Sequence, residues 1–409
     1  MDMRAVLTGL GLMLAASAGA QEMRPPVKYL DSVEAEYLAR HKKVMADPLA
    51  ERGYEPREVV PGATDRPLPV AKAPRVSARA LAAARDVAAR ANSSAFIVVH
   101  QGEVLAEAHF GGSAEDLLVS KSLAKPITAL AVGRALALGK LTSIDQKLGG
   151  IIKEWEGKPQ GEIRVRHLLD MRSGLLSQGD ISNPQGIWSR SYLHPYHERI
   201  ILEEYPLTDA PGSIYEYSNA TSELVALVIE RLTGRRYAEF VGTELLARIG
   251  APGGQVWVNR EAGLAHSGCC MMLPAQSYLR MAMLVAQDGV WNGERLLPQG
   301  YVAEMKTPTA ENPHYGMGLW VGGRYTERRS FANPARGIRG VLHSEPFLSD
   351  DVVMFDGNSN QIVYIVPSQH LVVLRLGPTP PREAEWDNAK LINTVLRGLK
   401  GARLTPQPR

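Results

Sequence analysis

The stretch SKSLAKPITALAVGRALALG, residues 120–139, decides the reading of this chain. Ser122 and Lys125 stand three apart at the front of an apolar helix. Positions i and i+3 share a helix face, so the two side chains can meet. A low-dielectric site lowers a lysine's pKa towards neutrality and makes the amine a usable base. It can then take the serine's proton, one of few ways to activate serine without histidine. Ser-x-x-Lys is short enough to recur by chance, so the rest of the chain has to support it.

Upstream, Ser77 can cap a helix running to about Ala91. Ala95–His100 and Val104–Phe110 read as strands joined by the tight turn Gln101-Gly102-Glu103. Downstream, IRVRHLLDM (163–171) and Thr221–Leu232 read as helices, each stopped by a glycine. Residues 175–215 read as irregular, and Leu273–Gln287 as a helix. The last third changes period. Gly316–Gly322, Asp351–Phe355, Gln361–Pro367 and Leu371–Leu376 read as strands, and Ala384–Leu399 as a closing helix. The order predicts an α+β fold, an antiparallel sheet built from both ends of the chain and flanked by helices. A mainly helical lobe is inserted over about 140–315, inside a domain spanning 76–400.

Tyr217-Ser218-Asn219 follows the turn Asp209-Ala210-Pro211-Gly212 and precedes a helix. A phenol facing the Ser–Lys pair could relay a proton, and the amide could orient the lysine or a substrate carbonyl. The bland reading is that Tyr217 packs and Asn219 caps. Taken together, Ser122-x-x-Lys125, Tyr217-x-Asn219 and the C-terminal hairpin QIVYIVPSQHLVVLRLG resemble the serine β-lactamase and penicillin-binding-protein superfamily. IRVRHLLDMRSGL, PGSIYEYSNATSELVALVIERLTG and DGVWNGERLLP add to the likeness, which covers roughly residues 80–400. It is closer to class C β-lactamase-related esterases and 6-aminohexanoate-dimer hydrolases. The resemblance implies Ser122 as nucleophile, Lys125 as base, Tyr217 as proton relay and Asn219 as an orienting group. It also implies an oxyanion hole from the backbone N–H of Ser122 and of the strand near Phe355. The implied reaction is hydrolysis of a small-molecule ester or amide through an acyl-enzyme, without cofactor or metal. A β-lactamase, a carboxypeptidase-like enzyme, or an inactive binding protein on the same fold are the alternatives.

One departure bears on substrate. The superfamily's Lys-Thr-Gly is absent, and Val352-Val353-Met354 is expected in its slot. Lys306-Thr307-Pro308 reads as a loop, and Asp356–Gln361 as the turn before the next strand. Apolar residues there, with Asp350, Asp351 and Asp356 nearby, predict a preference for neutral substrates, unless Arg324, Arg328 or Arg329 reaches the cleft. Trp188, Tyr192 and Trp320 are candidates for the acyl pocket or for core packing. His167 reads as structural. His194 and His197 are not expected to bind metal, because Pro195 spoils their alignment.

Residues 1–20, MDMRAVLTGLGLMLAASAGA, read as a secretory signal, which predicts an exported protein with no stable membrane insertion after cleavage. Residues 21–75 read as a helix (28–46) and a proline-rich connector, and 401–409 as a flexible tail. A formal net charge of +3 with no basic, aromatic-interleaved patch argues against nucleic-acid binding. The only cysteines, Cys269 and Cys270, are adjacent and cannot staple distant segments. Buried free thiols are expected, with a vicinal disulfide as the alternative.

Overall fold

The computed structural model describes residues 28–46, 54–64, 67–336, 340–381 and 385–409, so the signal expected in residues 1–20 lies outside the described residues. The main sheet has six antiparallel strands. They are β1 (Ala95–His100), β2 (Glu103–His109), β3 (Trp320–Val321), β4 (Val353–Gly357), β5 (Gln361–Val366) and β6 (Leu371–Leu376), in the spatial order β2-β1-β6-β5-β4-β3. The first hairpin therefore pairs with the last strand, Val98 facing Val373, and the two chain ends close one sheet.

Its central strands are buried at every position and mostly apolar, because both faces are covered. Alternate side chains point to opposite faces. Phe96, Val98, Ile362, Tyr364 and Val373 pack with α2 (Ala78–Arg90) and the C-terminal helix Asn388–Arg397. Ile97, Val99, Val363, Ile365 and Leu374 share the other core with α3 (Ala124–Ala137) and the helix Ala275–Ala286. Ser77 caps α2 as read, its Oγ accepting from Ala80 N at 3.3 Å. Helix α3 is buried around most of its circumference, as its nearly continuous apolar sequence requires. No helix among the described residues is long and apolar enough to cross a membrane.

Several expectations change. Residues 57–60 of the connector form an edge strand against Gly254–Trp257 in a four-stranded sheet that also holds Met271–Leu273 and Leu118–Val119. Residues 175–215 contain the helix Ile187–Leu193. The 401–409 segment is anchored rather than free: Gln407 Nε2 donates to Gly322 O at 2.7 Å and its N–H to Phe347 O at 2.9 Å. The N-terminal helix α1 (Asp31–Ala46) packs on the 181–193 segment, with Tyr37 donating to Ser189 and Arg40 to Leu193 O.

Candidate active site

The chain enters α3 through the 3-10 turn Lys121–Leu123. Lys121 has φ +49°, a left-handed backbone conformation that costs a lysine about 1–3 kcal/mol unless its surroundings hold it. Ser120 supplies that hold. Its Oγ donates to Cys269 O at 2.6 Å, and its N–H donates to Met271 O at 2.7 Å. Ser122 is thereby presented to a cleft at the edge of the sheet.

Lys125, one helical turn on, is 2% exposed. Its Nζ lies 3.2 Å from Ser122 Oγ, 2.8 Å from Asn219 Oδ1 and 2.9 Å from Gly268 O. Burial brings its pKa down to about 7, against an opposing pull from the Glu223 carboxylate. Asn219 opens the helix Asn219–Thr233, so the Tyr217-x-Asn219 loop is held at a helix start. The Tyr217 ring centroid lies 4.7 Å from Lys125 Nζ. Burial pushes the phenol well above its ordinary pKa, while a hydrogen bond with Ser122 opposes that shift. Tyr217 is therefore a proton-carrying phenol at neutral pH. The structure thus brings Ser122, Lys125, Tyr217 and Asn219 into one cluster.

The third-motif slot differs from expectation. Val352, Val353 and Met354 are buried in the core, where Val353 and Met354 pair with Val321 and Trp320. The strand continues past them to Gly357, which pairs with Gln361, so the turn shrinks to 358–360. Ser359 and Asn360 take left-handed φ in that turn. Gly357, not Phe355, abuts the nucleophile's backbone: a methyl on Gly357 would lie 3.1 Å from Ser122 N. Phe355 is fully buried two residues away.

Of the three aspartates, Asp356 alone lines the cleft. Asp351 accepts from Ser368 N at 2.7 Å, and the Asp350 N–H donates to Thr405 O. Of the three arginines, Arg329 reaches the cleft, where it ion-pairs with Asp356 and lies 4.1 Å from the Trp320 ring centroid. Arg328 pairs with Glu385, and Arg324 bonds the C-terminal Arg409 O. Trp188, Tyr192 and Trp320 all line the cleft, joined by Tyr205 and Phe331.

Cys269 and Cys270 form a vicinal disulfide instead of two thiols, and Cys269 lines the cleft beside Gly268. His167 Nδ1 accepts from Arg164 N at 3.3 Å within its short helix, a structural contact. His194 and His197 do not converge on one ion: His194 Nδ1 accepts from Tyr196 N, whereas His197 stacks on His266. Sequence reasoning missed Gly268, whose contribution is a backbone carbonyl, and Glu223. The latter carried a signal, a carboxylate inside the apolar run TSELVALVIE.

A family model described as Beta-lactamase matches residues 78–389. A 6-aminohexanoate-dimer hydrolase from Paenarthrobacter ureafaciens is 24% identical over 221 residues, 51% of this chain. The match spans 56% of that relative's length. A solved structure from Bacillus anthracis, assigned as a 6-aminohexanoate-dimer hydrolase, superposes with a TM-score of 0.65 at 18% identity, covering 84% of this chain and 92% of that one. EstCE1, a hydrolase with promiscuous acyltransferase activity, superposes with a TM-score of 0.58 at 17% identity, covering 79% of this chain and 99% of its own. With a family model matched across most of its length and the Ser–Lys–Tyr cluster at the sheet edge, the chain belongs to the beta-lactamase family of serine hydrolases.

Proposed function

We propose that the protein cleaves a neutral carboxylic ester or amide through an acyl-enzyme on Ser122. The observation that carries this is the buried Lys125 Nζ 3.2 Å from Ser122 Oγ. A neutral amine has two N–H donors and one lone pair. Asn219 Oδ1 and Gly268 O take the two donors, so the lone pair faces the serine hydroxyl. Ser122 Oγ attacks the carbonyl carbon as Lys125 accepts its proton. The oxyanion forms beside the Ser122 N–H and the backbone of the Gly357 stretch, where such donors contribute roughly 3–4 kcal/mol each to the transition state. Tyr217 donates its proton to the leaving oxygen or nitrogen as the acyl bond breaks, and regains one from the lysinium. Water then attacks the ester of Ser122 with the same groups in reverse order.

The cleft chemistry supports a neutral substrate. Arg329, buried in the cleft wall, is already paired with Asp356, so its guanidinium is not free to receive a substrate carboxylate. Aromatic walls suit an apolar acyl part. The Cys269–Cys270 bond supports an oxidising compartment, in keeping with the export signal read in residues 1–20. The test is kcat/KM on nitrophenyl esters, linear amide dimers, D-amino-acid amides and a chromogenic cephalosporin. Highest values on neutral esters or amides are expected. A clear preference for the cephalosporin would overturn the substrate reading.

A further inference from the structure

Three polar side chains cluster behind the amine. His197, Glu223 and His266 are 0%, 1% and 0% exposed, and their ligand-type atoms lie within 4.8 Å of one another. The composition suits a cation, but the ring geometry does not. His197 and His266 stack with centroids 4.2 Å apart and planes 14° apart. Imidazole lone pairs lie in the ring plane, and two nearly parallel planes cannot both hold one ion at about 2 Å. What the cluster holds instead is a carboxylate against the turn that serves Lys125.

That turn is tied to the helix Asn219–Thr233. Ser267 Oγ donates to Ser222 O at 2.9 Å and accepts from Ala226 N at 3.3 Å. The Ser267 N–H donates to Ala265 O at 2.9 Å, which folds the turn over the Glu223 carboxylate. The oxygens of that carboxylate are buried without a hydrogen-bond partner among the described residues, and His266 Nδ1 lies 3.5 Å from Glu223 Oε1. A Cβ on Gly268 would sit 2.8 Å from Ser222 Cβ and 3.0 Å from Glu223 Oε1, so only glycine fits. The carbonyl of this same glycine accepts from Lys125. Glu223 also stands four residues after Asn219, on the same helix face as the lysine's other acceptor. One carboxylate thus backs both groups that hold the amine.

We propose that Glu223 is a positioning residue for Lys125: it fixes the Ser267–Gly268 turn and sets a buried negative charge behind the amine, an inference that rests on the serine-hydrolase reading above. The groups facing Glu223 are Lys125 from α3, His197 and His266, and the phenols of Tyr192 and Tyr237. Burial holds both imidazoles far below their ordinary pKa and both phenols above theirs, so these four are neutral near pH 7. Arg40 and Arg260 act on the imidazoles from further out. On the other side, Lys125 is faced by Ser122, Asn219 and the Tyr217 ring. Glu223, raised to about 7 by burial, and Lys125, lowered to about 7, therefore titrate against each other. The carboxylate favours the lysinium, so removing it makes the amine neutral at lower pH.

The experiment follows the pH dependence of Ser122 phosphonylation by a fluorophosphonate in wild type, E223Q and E223D. For E223Q the acid limb should move down by about one pH unit. Well below the wild-type limb it would then react at about ten times the wild-type share of its own plateau rate. E223D, which keeps the charge, should keep the limb while losing plateau rate. An E223Q profile with a lower plateau and an unmoved limb would overturn the proposal, since a purely structural role predicts that result. Lys121, brought down to about 8 by burial, lines the same cleft but is untouched by the substitution. If E223Q does not fold, E223M carries the same expectation, because buried charges often tolerate apolar replacement. Wild type that fails to react at Ser122 is a different outcome, and it sinks the hydrolase reading itself.

Discussion

Gly357→Ala is the substitution that best separates this geometry from a generic one. Gly357 has φ −135° and ψ 162°, extended backbone that alanine adopts freely. The substitution therefore acts through space alone. Its methyl would lie 2.7 Å from Leu123 Cδ1, which can rotate away, and 3.1 Å from Ser122 N, which cannot. An oxyanion must sit about 2.7–3.1 Å from its donors, so the methyl crowds the shell the substrate oxygen needs. Losing one such donor costs about 10²–10³ in kcat, or roughly 3–4 kcal/mol. We expect G357A to lose at least about a hundredfold in kcat/KM on a nitrophenyl ester, with thermal unfolding changed only slightly. Gly102 is a fitting control: it has nothing within 4 Å of an added Cβ but sits at φ +84°, so G102A should cost stability rather than rate. G357A activity within a few-fold of wild type would refute the placement of the oxyanion site.

Lys125 should impose an acid limb near pH 7 on kcat/KM, because only the neutral amine accepts the serine proton. K125A should lose about 10²–10⁴ in rate, and K125R should not recover it, since guanidinium stays protonated. D356N should unpair Arg329 and raise the kcat/KM of a carboxylate-bearing substrate relative to its neutral analogue by about tenfold or more; an unchanged ratio would show that Arg329 does not read the substrate. His194 and His343 are held down to about 3 by burial, so the unfolded chain binds more protons than the native state below about pH 6.5. Their contribution is complete above that pH and is lost as pH falls towards 3. Together they should give a slope of roughly 3 kcal/mol per pH unit in urea unfolding, which H343N should cut by about half.

The parts of the molecule that were legible in its sequence are those written in local pattern. The Ser77 cap, the 95–110 hairpin and the 361–376 hairpin each combine a strong period with a turn or cap residue. Ser122, Lys125, Tyr217 and Asn219 stood out by chemistry and spacing, and they do converge. What was not legible depends on distant partners. Residues 57–60 carry no sign that their partner strand is 254–257. Gly268 acts through its carbonyl, which no side-chain motif announces. Arg329 lies in the two-residue strand Arg328–Arg329, too short to show a period, and its partner Asp356 was assigned to a turn. That assignment followed the Gly-Asn-Ser-Asn cluster, yet strand pairing persists to Gly357, three residues beyond Met354. Adjacency alone could not decide between thiols and a disulfide at Cys269 and Cys270.

The most direct test of the central claim is intact-mass trapping of the acyl-enzyme. Purified protein is mixed with a slowly deacylating ester, quenched in acid and mapped by peptide mass spectrometry. The account predicts one adduct per chain, on Ser122, forming at the rate of the kinetic burst, and neither adduct nor turnover in S122A. An adduct on another residue, or turnover that survives S122A, would contradict it.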